Sequence, residues 1–82
     1  MATPLSMEWI LITNGKEQRL NNEDNLFEIV FEGYRIFPLN EKLEVKRTLK
    51  SEQLGAGIIE ELTFKNYFTY CKYRLVSLHS VN

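Results

Sequence analysis

Scarcity marks this chain before any motif does. Its 82 residues include one cysteine, one histidine, two prolines and four glycines. A single cysteine cannot close an intrachain disulfide, which fits a reducing, cytoplasmic setting. With one histidine beside it, it cannot supply the four nitrogen and sulfur ligands of a structural zinc site. The sparse glycine and proline exclude collagen-like and low-complexity segments. There is no Asn-x-Ser/Thr acceptor for glycosylation. The longest apolar run near the start covers residues 9–12, far too short to cross a membrane or to form a signal-peptide core. Residues 1–6 carry no basic region, so neither an export signal nor membrane attachment is expected. No apolar i, i+3, i+4, i+7 pattern persists for three turns, and no helix is expected.

What is present reads as one small β domain spanning residues 1–82. Hydrophobic residues at 44% and charged residues at 26% are globular values and argue against disorder. Net charge is −1, giving no bulk attraction to nucleic acid or anionic lipid. Residues 1–41 nevertheless hold three basic and seven acidic side chains, and residues 42–82 seven basic and four acidic. That asymmetry either makes one basic face or draws the two halves together on folding, and the second is the expectation here.

Along the chain, residues 1–6 read as a loose leader. Residues 7–13 read as a strand closed by the turn dipeptide Asn14-Gly15. Residues 16–25 form a polar loop, long for so small a domain and expected to be its most mobile part. Phe27, Ile29 and Phe31 then alternate with Glu28, Val30 and Glu32. Gly33 permits a turn or a bulge, and an extended run follows until Pro38. In residues 42–50, Leu43, Val45 and Leu49 are expected inward, with Lys42, Glu44, Lys46, Thr48 and Lys50 outward. Residues 51–55 read as a loop. Two apolar runs flanking a break at Lys65-Asn66 form the organising antiparallel hairpin. Its parity conflicts twice, which predicts one bulge near Ile59-Glu60 and another near Leu75-Val76.

Several chemistries fail on spacing. Cys71 and His79 lie eight positions apart, about 26 Å on an extended strand at roughly 3.3 Å per residue, beyond the reach of a thiol–imidazole pair. Cys71 is therefore expected in the core. Asn21-Asn22-Glu23-Asp24-Asn25 offers oxygen ligands, but Leu26 occupies the place where a calcium loop needs glycine. Gly55-Ala56-Gly57 lacks the third glycine of a dinucleotide fingerprint, Glu60 standing there, and lacks the lysine and hydroxyl of a phosphate loop. The two glycines instead suit a tight approach into the following strand. Glu60 and Glu61 point to opposite faces of a strand unless a bulge re-aims them, so they are read as surface charges rather than an acid/base pair. No catalytic, metal or cofactor site is expected.

The run Gly57-Ile58-Ile59-Glu60-Glu61-Leu62, its hairpin, and Tyr73-Arg74-Leu75-Val76 resemble the half-barrel of SH3-like small barrels. This covers the C-terminal third of the chain. With Tyr34-Arg35-Ile36-Phe37-Pro38-Leu39 and Ser77-Leu78-His79-Ser80-Val81-Asn82, the whole chain resembles a family of short, uncharacterised proteins of Gram-positive bacteria. That family carries no assigned function and implies no site residues.

The fold expectation is all-β, a single SH3-like barrel or rolled antiparallel sheet of five to six short strands. The leading functional expectation is a non-catalytic interaction module that binds a protein partner or itself, since ten aromatics in so small a domain leave apolar surface exposed. The alternative is single-stranded nucleic-acid (RNA) binding through a basic-aromatic face. Tyr70, Lys72 and Arg74 would form it on the last strand, joined by Lys46 and Lys50 if the two strands are neighbours.

Overall fold

The computed structural model of the protein describes residues 6–20 and 25–78. Among them, six strands build one sheet: β1 (Ile10–Ile12), β2 (Gln18–Arg19), β3 (Leu26–Glu32), β4 (Lys42–Lys46), β5 (Gln53–Lys65) and β6 (Phe68–Leu78). Their order across the sheet is β1-β4-β5-β6-β3-β2. The protein is all-β. Every ladder is antiparallel except β1–β4, which is parallel. The expected antiparallel sheet thus carries one parallel ladder at its β1 edge. The chain between these strands makes the long return that a parallel pair requires.

The β5–β6 hairpin is the centre of the sheet. Lys65 pairs with Phe68 across a two-residue turn, Asn66-Tyr67, whose φ angles are 53° and 70°. Positive φ at both positions matches the twist of the flanking strands. Both parity conflicts resolve as bulges. Ile59 pairs with Tyr73 and Glu61 with Lys72, leaving Glu60 as the extra residue of β5. Gly57 pairs with Leu75 and Ala56 with Ser77, leaving Val76 as the extra residue of β6.

The core lies on one face of this sheet. Leu11, Ile29, Leu43, Val45, Ile59, Cys71 and Tyr73 are buried there, with Phe37 packed on them. Their alternation with exposed residues follows the period of two that puts successive side chains on opposite faces. Two expectations fail along β4 and β5. Leu49 is 66% exposed, because β4 ends at Lys46 and the chain bends away. Residues 53–55 already belong to β5, so the glycines lie inside a strand rather than before one. A Cβ on Gly55 would run into the carbonyl of Ser77, and one on Gly57 would come within 3.3 Å of the Arg74 carbonyl. The β6 bulge presses its backbone against β5 at this point, and only glycine leaves the space.

Between β3 and β4, residues 33–41 run across the sheet instead of joining it as a strand. Ile36 bridges Met7, and Leu39 bridges Ile59. Gly33, at φ 86°, makes the bend. Buried Thr69 holds it: its hydroxyl donates to the Gly33 carbonyl (2.8 Å) and accepts from the Arg35 N–H (2.9 Å). The Arg35 guanidinium lies 4.4 Å from the Phe31 ring centroid and donates through Nε to Glu8 (3.0 Å). One side chain thus ties the crossing segment to β3 and to the approach to β1.

Candidate interaction surface

The core stripe of β5 continues beyond the part of the sheet that is covered. Phe64 keeps the parity of Ile59 and Leu62 yet is 50% exposed near the hairpin end. Tyr34, just past the Gly33 bend, meets it edge-on with ring centroids 5.8 Å apart. Tyr67, on the turn, meets the other side of Tyr34 at 5.6 Å. Two backbone contacts fix the arrangement. The Tyr67 N–H donates to the Tyr34 hydroxyl (3.0 Å), and the Gly33 N–H donates to the Tyr67 carbonyl (2.7 Å). Tyr67 remains 60% exposed and Tyr34 43%. Phe68 and Val30 add exposed apolar area on the opposite face of the same end. Three rings linked by edge contacts and by these two hydrogen bonds make an apolar projection.

This cluster is invisible to strand periodicity, because Tyr34 and Tyr67 belong to no strand. The one signal in the sequence is an aromatic in the turn itself, flanked by Phe64 and Phe68, where a glycine is the common residue.

The basic-aromatic face forms only in part. Tyr70, Lys72 and Arg74 do share the outer face of β6. Lys46 does not join them, since β5 lies between β4 and β6, and Lys50 sits on an exposed bend beyond β4. The bulge at Glu60 also changes the electrostatics. It turns both adjacent carboxylates outward, where Glu60 accepts from Arg74 Nε (2.8 Å) and Glu61 pairs with Lys72 (3.2 Å). Glu28 stands opposite Lys72 on β3. Cations matched by carboxylates give no net pull on a phosphate backbone. The three described ion pairs each join residues of the same half of the chain, so the expected attraction between halves is not what they express.

A groove of about 270 Å³ lies on this outer face, lined by Glu28, Thr63, Lys65 and Tyr70. Ligand pockets usually run to roughly 300–1,000 Å³ and close around their occupant. Cys71 is fully buried. Burial foremost, and then the nearby Glu28 carboxylate, push its thiol up to about 12, so it is not a nucleophile at neutral pH. Burial likewise raises Tyr73 above its ordinary range, with Glu17 and Cys71 adding to the effect. His79, the possible calcium ligands 21–24 and leader residues 1–5 lie outside the described residues. Among the described residues there is no group of three or more His, Cys, Asp or Glu placed to hold a metal. No helix among them is long and apolar enough to cross a membrane.

Fold and surface together define a small all-β domain with a cluster of exposed aromatic rings at its hairpin end. The chain belongs to the family described as Domain of unknown function (DUF2584), which it matches over residues 1–82. It is 33% identical to an uncharacterised protein of Bacillus subtilis, YtmB, over the whole of both chains. The crystal structure of that YtmB protein superposes with a TM-score of 0.85, covering 100% of this chain and 99% of the other. The family resemblance seen in the sequence is therefore correct, and the family has no assigned activity.

Proposed function

We propose that this protein is a non-catalytic interaction module and that the Tyr34–Phe64–Tyr67 end of the β5–β6 hairpin receives a protein partner. The observation that carries this reading is Tyr67. A bulky aromatic is held at φ 70° in a turn, with most of its ring in water. That conformation costs roughly 1–2 kcal/mol in a residue with a Cβ, and glycine would be free of the cost. Retaining an exposed ring against that cost points to use at a surface, since strained positions gather at binding sites. Tyrosine suits interfaces because it offers a large rigid contact area with a polar tip.

The cytoplasm is the setting we propose, on the strength of one reduced, buried cysteine. An SH3-like description of the half-barrel formed by β5 and β6 is part of the same reading, supported by their two bulges and tight turn. Nucleic-acid binding loses its physical basis, because Lys72 and Arg74 are matched by Glu61 and Glu60.

The test compares wild-type protein with Tyr67→Gly in capture from extract of the source cells, with nuclease present. A protein that binds the wild type at stoichiometric level and is lost with the variant supports the assignment. Equal capture by both rejects this end of the molecule as the binding surface.

A further inference from the structure

Two strands end the sheet, and they end it differently. β2 is two exposed residues, one of them Arg19, and so short that it offers little to pair with. β1 offers more. Its odd-numbered residues bond to β4: the Glu44 N–H donates to the Trp9 carbonyl (3.3 Å) and the Thr13 N–H to the Lys46 carbonyl (2.9 Å). The main-chain groups of Ile10 and Ile12 therefore point away from β4, whereas at Met7 and Glu8 the crossing segment already lies alongside, Ile36 bridging Met7 and accepting from the Glu8 N–H (2.8 Å). No Cα of β1 lies within 8 Å of a Cα in any strand other than β4. Beside this edge Met7 and Trp9 are half exposed. Between residues 7 and 13 there is no lysine, proline or bulge of the kind that normally guards an edge.

We propose that β1 is a self-association edge whose occupant is β1 of a second copy, antiparallel about a two-fold axis at Leu11. In that register Ile10 exchanges both N–H···O bonds with the partner's Ile12, and Ile12 does so with the partner's Ile10. Leu11 then faces the partner's Leu11 at the non-hydrogen-bonded position between them. The segment is self-complementary, as a two-fold contact demands. Charge agrees. Glu8 is the one charged residue from 7 to 13 and is already held by Arg35, so two copies meet without repulsion. Trp9 shares the parity of Leu11 and Thr13, and falls opposite the partner's Thr13, where its exposed ring becomes covered. So short a contact makes the dimer weak and dependent on concentration.

Sedimentation equilibrium on the full chain tests this. Wild-type protein is expected to dimerise reversibly as its concentration approaches about 1 mM, where a weak contact becomes populated. Ile12→Pro removes one outward donor without touching the β1–β4 ladder, and is expected to raise the dimer Kd at least about tenfold. Tyr67→Gly should leave it unchanged. A monomer at every concentration overturns the proposal, as does a dimer that Tyr67→Gly abolishes and Ile12→Pro does not. Should Ile12→Pro fail to fold, amide exchange of wild-type protein decides. Protection of Ile10 and Ile12 that grows with concentration supports the edge, and protection independent of concentration overturns it.

Discussion

Tyr67 and Gly55 hold their positions for opposite reasons. At Tyr67 the backbone prefers glycine while the side chain is kept. At Gly55 the backbone allows any residue, but the Ser77 carbonyl occupies the space of a Cβ. Tyr67→Gly should relieve about 1–2 kcal/mol of strain and lose about 0.5–1.5 kcal/mol of ring contact with Tyr34. Stability is then expected to stay within roughly 1 kcal/mol of wild type in urea titration, even as partner capture is lost. Gly55→Ala should cost about 1–3 kcal/mol, as overpacking does. Gly15→Ala should cost about 1–2 kcal/mol through its φ of 73° alone, since nothing lies within 4 Å of the added methyl. Cys71 adds a dependence on pH. Its thiol ordinarily ionises near 9.0 and here near 12. The folded state therefore keeps its proton while the unfolded state gives it up. The stabilisation is complete below about pH 9 and declines as pH rises from about 9 to about 12, with Tyr73 acting in the same direction. Urea titrations across that range should show the decline, and Cys71→Ala should make it shallower.

Among the elements, the hairpin was the most legible in the sequence and the crossing segment the least. Alternation within one strand is a local property, so Phe27, Ile29 and Phe31, or Cys71, Tyr73 and Leu75, can be assigned to one face by counting. Both bulges also left a local trace, a break of parity at Glu60 and another at Val76. Deleting one of the two adjacent glutamates would leave Ile59, the remaining glutamate and Leu62 in unbroken alternation. The variant is expected to fold, losing about 0.5–3 kcal/mol in urea titration along with the Arg74 pair and the local bend. Deleting Tyr70 should be far worse, because β6 has no bulge there and Cys71 and Tyr73 would turn outward. Strand adjacency left no such trace. Lys46 and Tyr70 read as candidates for one platform because nothing local says that β5 separates them. The aromatic end was hidden for the same reason: Tyr34 reaches Phe64 and Tyr67 only through the fold.

For the whole molecule, charge is arranged to cancel rather than to attract. With Lys72 and Arg74 opposite carboxylates, single-stranded RNA is expected to bind no more strongly at low salt than at high salt, and Lys72→Ala should not change this in a fluorescence-anisotropy titration. The asymmetry that matters lies elsewhere, in a two-residue edge at β2, an edge at β1 where the main-chain groups of Ile10 and Ile12 face away from β4, and an aromatic end on the central hairpin.

The order of strands in the sheet also sets a schedule for synthesis. The central pair, β5 and β6, is the last of the six to leave the ribosome, and the outermost strands, β1 and β2, are the first. β1 waits for β4, and β3 waits for β6, which its register spans from Leu26 to Glu32. A nascent chain therefore exposes the β6 side of β3 until the hairpin has been made, whereas β1 meets β4 earlier.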